Sequence, residues 1–274
     1  MAMSYYAKEA YGLYRPYSTK AVAHTIQTYS KFTIPYPYPV AISVEASNGM
    51  EYPMICFNYG RTEKDGSYSE STKYGMLGVI IHEVGHNFFP MIVNSDERQW
   101  TWMDEGLNSF LDKETIQERY PELNYMRGTP KTIVNYMKGE KSQMRPMMTS
   151  SDNIRPEEFG NNGYSKPSAA LTLLRETVMG PELFDKAFKE YAQRWAFKHP
   201  SPADFFRTMG ITLVRGRGFA LHRGARATRV VHLRDRVQQH PRVRMPRLRE
   251  QLVLARELHQ PPEVHHADLV AHVA

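Results

Sequence analysis

The spacing of apolar residues describes a mainly helical chain with one short extended region near its start. Residues 4–14, rich in tyrosine, predict a short helix. Residues 18–32 place Ala21, Val22, Ile26, Tyr29 and Phe32 at near-helical spacing behind Ser18, a capping residue, and predict a second. Pro35, Pro37 and Pro39 then fix φ and remove donors, so the chain runs extended. Residues 40–44 read as a strand and Asn48-Gly49 as a turn. Residues 51–59 read as another extended segment, and Pro53 puts it at a sheet edge.

After a polar loop over 61–72 the pattern changes. Residues 74–89 are apolar on nearly every side (Met76, Leu77, Val79, Ile80, Ile81, Val84, Phe88, Phe89), which predicts a buried helix ended by Pro90. A helix over 102–118 carries Met103, Leu107, Phe110, Leu111 and Ile116 on one face. Further helices are expected over 129–139 and, after a polar stretch at 149–163, over 165–179. Gly180-Pro181 breaks the last of these. Residues 182–195 resume a helical pattern, and another begins at 203.

A chain of 274 residues with 41% hydrophobic and 12% aromatic content can bury a sizeable core and is not disordered. Its one cysteine, Cys56, excludes an intrachain disulfide and reads as a small buried hydrophobe. No run of about 20 apolar residues is present, so no membrane span is expected. The first residues lack the basic and apolar regions of a signal peptide. The sequence leaves the location open: cytoplasmic by default, or exported if an N-terminal portion is missing.

The net charge of +6 changes this picture because it is confined to one end. Residues 211–274 hold 12 Arg and no Lys against 5 acidic residues, whereas residues 1–210 hold 23 basic and 24 acidic ones. The same tail lacks Tyr, Trp, Ser, Asn and Cys and carries 7 of the 11 histidines. So abrupt a change in usage reads as translation in a shifted frame, or as a disordered extension. A basic nucleic-acid-binding arm is the rival reading. With no aromatic apart from Phe219 and no recognisable motif, it is disfavoured, and nucleic acid is not an expected partner.

The candidate chemistry lies in the buried helix, within Gly78-Val79-Ile80-Ile81-His82-Glu83-Val84-Gly85-His86. Histidines four apart project from one helical face, where one metal ion can meet both, and Glu83 lies beside them as a candidate base. In so apolar a helix these polar residues need partners, and a metal supplies them. A catalytic zinc site has three protein ligands and one open position, so a third ligand is required from a neighbouring element. The next helix carries Trp102-Met103-Asp104-Glu105-Gly106-Leu107, with Glu105 nineteen residues after His86.

Here the sequence resembles the gluzincin zinc aminopeptidases typified by aminopeptidase N and leukotriene hydrolase. In that family His-Glu-x-x-His is followed, after eighteen residues, by Glu in a Trp-x-x-Glu-Gly context. Two more segments extend the resemblance. Gly49-Met50-Glu51-Tyr52-Pro53 is similar to the family's Gly-x-Met-Glu-Asn strand, with Tyr52 where Asn is commoner. Tyr164-Ser165-Lys166 is similar to its Tyr-Glu-Lys-Gly segment, with Ser165 and Pro167 as departures.

The resemblance implies an α+β, thermolysin-like zinc metallopeptidase catalytic domain over residues 1–210, mostly helical with a small mixed sheet at the cleft edge. It implies one Zn2+ held by His82, His86 and Glu105, Glu83 as general base and Tyr164 as oxyanion donor. Gly49 and Met50 would meet the peptide backbone, and Glu51 would grip a free α-amino group. The implied reaction is removal of N-terminal residues from peptides. The implied rival is a zinc-binding fragment or pseudoenzyme without turnover, because family members carry further domains on both sides. Asp104 reads either as an acceptor for a histidine N–H or as a helix N-terminal charge.

Overall fold

The computed structural model describes residues 1–222 apart from 48, 124, 126 and 140–143, with side chains as far as residue 212. Its first layer is a four-stranded mixed sheet. Strand β1 (Ala2–Tyr5) pairs in parallel with β2 (Ala41–Glu45), and β2 pairs in parallel with β4 (Ile55–Asn58). Strand β3 (Met50–Tyr52) pairs antiparallel with β4, Glu51 opposite Cys56, and forms one edge of the order β1-β2-β4-β3.

Two expectations are corrected here. Residues 4–14 are not one helix: Ala2–Tyr5 is a strand, and helix α1 runs Tyr11–Phe32, starting well before Ser18. Ser18 is no cap, because its hydroxyl donates to the Tyr14 carbonyl at 2.7 Å inside the helix. The extended segment 51–59 is a hairpin. Pro53 and Met54 (φ 67°) connect Tyr52 to Ile55, as in a type II turn with proline at its first central position. The Met54 amide donates to Asn87 Oδ1 at 2.8 Å, which fixes the hairpin against the helix that follows.

Helix α2 (Glu70–Gly85) begins at Ser69, whose hydroxyl accepts the Thr72 amide at 3.0 Å. It ends before the expected residue 89. The chain leaves it through a wide turn, Asn87–Ile92, that includes a cis Phe89–Pro90 bond and non-helical dihedrals at Phe89. A second wide turn, Trp102–Gly106, runs straight into α3 (Leu107–Arg119). Short helices α4 (Val134–Lys138) and α5 (Pro156–Phe159) precede α6 (Lys166–Leu173), which continues as a wide turn to Met179. Gly180, at φ 84°, permits the break before α7 (Pro181–Trp195). Helix α8 (Pro202–His222) follows and continues past residue 210. The expectation of an atypical tail falls, beyond His222, outside the described residues.

Two cores result. One, between the sheet and helices α1 and α2, contains Leu13, Tyr14, Val22, Cys56, Leu77 and Ile80. The other is aromatic and lies among the helices, with Phe88, Phe110, Phe184, Phe188, Tyr191 and Phe205 fully or almost fully buried. Each such ring contributes about 1.5–3 kcal/mol through burial. Helix α2 contributes to the first core and the turn after it to the second, so its polar residues sit at the seam. None of the described helices is long and apolar enough to cross a membrane.

Candidate metal centre and cleft

Helices α2 and α3 approach closely because residue 85 has no side chain. A Cβ on Gly85 would meet the Tyr29 hydroxyl and Asn108 Oδ1. At this crossing His82 Nε2 lies 3.0 Å from Glu105 Oε2, His86 Nε2 3.1 Å from His82 Nε2, and His86 Nε2 3.4 Å from Glu105 Oε2. Ligands about 2.0–2.1 Å from one tetrahedral ion stand about 3.3 Å apart, so these three atoms have the spacing of a zinc triad. Both histidines are buried.

The other ring nitrogens fix how the imidazoles face. His82 Nδ1 lies 2.8 Å from Asp112 Oδ2, and His86 Nδ1 donates to the Phe89 carbonyl at 2.9 Å. Asp104 Oδ1 lies 2.9 Å from the same His86 nitrogen. With Nδ1 of each ring as the donor, two Nε2 lone pairs point at one another and at a carboxylate. Such an arrangement is repulsive unless a cation sits between them. The residues therefore fit a divalent metal on donor chemistry, spacing and tautomer alike.

Burial alone would lower the pKa of His82, but Asp112 and Glu105 outweigh it and raise the pKa to about 9. Burial would raise Glu105, but the two imidazoles outweigh it and hold the carboxyl well below its usual range. Glu83 rises to about 7, chiefly through burial, with the Glu51 carboxylate adding to it against the two histidines.

The remaining sequence candidates converge as follows. The Tyr164 hydroxyl donates to Glu105 Oε1 at 2.7 Å, and its ring stacks on His82 at 5.7 Å. On edge strand β3, Glu51 brings a carboxylate oxygen within 4.8 Å of both Glu83 and His86. Gly49 packs so closely on Glu83 that an added Cβ would stand 2.5 Å from Oε1. Met50 is half-buried on the same strand, opposite Phe57. Gly49, His82, Glu83 and Tyr164 open onto one cleft of about 640 Å³.

Sequence reasoning missed the supports. Asp112, fully buried, accepts both His82 and, at 2.9 Å, the Tyr29 hydroxyl. Asn108 donates to the His82 carbonyl at 2.8 Å. A signal was present, since Glu105, Asn108 and Asp112 are three and seven residues apart and share one helical face. Tyr29 and Asn87 carried none, because α1 and the hairpin meet the site only through tertiary packing.

His82, His86 and Glu105 thus form a buried donor set with the spacing of a zinc site, and Glu83 and Glu51 lie close by. The chain matches the peptidase family M1 domain over residues 17–216 and belongs to that family. It is 27% identical over 214 residues to endoplasmic reticulum aminopeptidase 1 of Mus musculus, covering 70% of this chain and 22% of that protein. It is 24% identical over 189 residues to probable aminopeptidase 2 of Sulfurisphaera tokodaii, covering 65% of this chain and 23% of that protein. The fold is similar to that of the M1 zinc metallopeptidase from Deinococcus radiodurans. That match has a TM-score of 0.53 and 17% identity over 70% of this chain and 40% of that one. The chain thus spans about a fifth of the length of these curated relatives.

Proposed function

We propose that this chain is the catalytic domain of a zinc-dependent aminopeptidase, with His82, His86 and Glu105 holding one zinc ion. The observation that carries this reading is the convergence of the three donor atoms within 3.4 Å beside Glu83, with the carboxylate of Glu51 within 4.8 Å of Glu83 and His86. Zinc, when bound, supplies Lewis acidity that polarises a carbonyl and acidifies water.

The chain's own residues do the rest. Glu51 accepts hydrogen bonds from the substrate's free α-ammonium group and so sets cleavage at the first peptide bond. Gly49 and Met50 offer backbone groups to the bound chain, as an unpaired strand edge does. Glu83 takes a proton from the attacking water and passes it to the leaving amine nitrogen. A base with a pKa near neutrality suits both halves of that exchange. Tyr164 exchanges its present acceptor, Glu105, for the substrate carbonyl oxygen as negative charge develops there.

The test is zinc content together with hydrolysis of an aminoacyl-anilide by the full chain. One zinc per chain with turnover supports the reading. One zinc without turnover supports the rival, a metal-binding domain that is catalytically incompetent. Absence of stoichiometric zinc would overturn both.

A further inference from the structure

The wall of the cleft beyond Tyr164 carries a cation that the proposed mechanism does not use. The Arg127 guanidinium carbon lies 5.2 Å from the centre of the Tyr164 ring, whose other neighbours include His82. Arg127 faces the cleft beside Leu123 and Tyr125, and its guanidinium donates a hydrogen bond to the Tyr125 hydroxyl. It forms no ion pair with a carboxylate among the described residues. Asp112 and Glu105 are within electrostatic reach. Their oxygens, however, are already committed: Asp112 to His82 and Tyr29, Glu105 to Tyr164 and the two imidazoles. A guanidinium is always charged and presents a planar fork matched to a carboxylate.

The floor leading to it is open. Ser71, Gly75, Gly78 and His82 share one face of α2 and line the same cleft. A Cβ at Gly75 or Gly78 would meet nothing within 4 Å. A peptide can therefore lie along this face of α2, beside Glu83 and Tyr164. Arg127 in this cleft offers a cation to the carboxylate end of a short peptide whose ammonium end Glu51 would take.

We propose that Arg127 is a specificity-determining residue that binds the free C-terminal carboxylate of a short peptide substrate. The inference rests on the aminopeptidase reading, in which Glu51 takes the substrate's amine and the far carboxylate is left for another group. It makes the cleft selective for short peptides with unblocked carboxyl ends over amidated ones. An acidic side chain near that end offers the same chemistry.

The test uses full-length, zinc-loaded protein carrying Glu83→Gln, so that peptides bind without being consumed. Calorimetric titration compares triglycine, triglycine amide and an amidated tripeptide with a glutamate side chain. Triglycine should bind about tenfold or more tighter than its amide, the range of a charge-assisted hydrogen bond. Adding Arg127→Met should shrink that ratio to about twofold or less, and Arg127→Lys should restore part of it. If the glutamate-bearing amide matches triglycine, a side-chain carboxylate is an equally good source of the ligand. Equal binding of triglycine and its amide before Arg127 is changed would overturn the proposal alone, as would a ratio that survives Arg127→Met. Failure of every peptide to bind the zinc-loaded protein would instead overturn the peptide-binding reading of the whole cleft.

Discussion

Asp112 Oδ2 lies 2.8 Å from His82 Nδ1, while Asp112 Oδ1 accepts the Tyr29 hydroxyl at 2.9 Å. The carboxylate thus sets the tautomer of the His82 imidazole and ties it to α1. Replacing Asp112 with Asn keeps the shape but removes the charge. Zinc affinity should fall about 10–100-fold, measured by competition with a chromophoric chelator. An unchanged affinity would show that Asn108 and packing suffice to orient His82.

Glu83 and Tyr164 face the same cleft but should fail differently. Glu83→Gln should retain zinc and lower kcat by at least about 10²–10⁴-fold. Tyr164→Phe should also retain zinc and lower kcat about 10²–10³-fold, with a much smaller change in KM. Metal analysis and steady-state kinetics of both variants decide this. Wild-type-like turnover in Glu83→Gln would remove it from the role of base.

Gly85→Ala tests the close approach of α2 to α3. The new methyl would strike the Tyr29 ring and Asn108 amide, both locked in the buried network around Asp112. Such overpacking costs about 1–3 kcal/mol, to be read from the midpoint of denaturant unfolding. No loss of stability would mean that the network yields without cost.

Cys56 is fully buried, and its thiol donates to the Ile42 carbonyl at 3.4 Å. Burial raises its pKa from the ordinary value of 9.0 to about 12, a small opposing effect coming from Asn58. The fold therefore favours the neutral thiol. That stabilisation is complete below about pH 9 and is lost as pH rises from about 9 towards about 12. The stability difference between wild type and Cys56→Ala should shrink over this range, and a thiol reagent at neutral pH should label Cys56 only on unfolding. Rapid labelling of the native protein would contradict this.

The legible parts of this molecule were those written in local sequence. The helices over 102–118, 165–179 and 182–195, and the edge position of the segment holding Glu51, follow from periodicity and proline placement. The mixed α+β architecture and the membership of the zinc peptidase family were legible from His82, His86 and Glu105 with their flanks. The illegible parts depended on other elements. Residues 2–5 become a strand because β2 offers them a ladder, which the short Ala-Met-Ser-Tyr run does not announce. The hairpin at Pro53-Met54 was hidden because its turn uses methionine at a positive φ, where glycine or asparagine is the usual signal. Helix α1 begins before Ser18 despite Pro16, because Leu13 and Tyr14 are buried against the sheet and tertiary packing outweighs the proline.

The hydrogen bond from the Met54 amide to Asn87 joins the hairpin to the residue next to His86. Strand β3, which carries Glu51, and the end of α2, which carries His82 and His86, thereby keep one common reference point. Changes elsewhere in the cleft wall, including the segment that carries Arg127, leave that reference in place. On the proposed reading, preference for a peptide and the position of its cut would then rest on separate parts of the cleft.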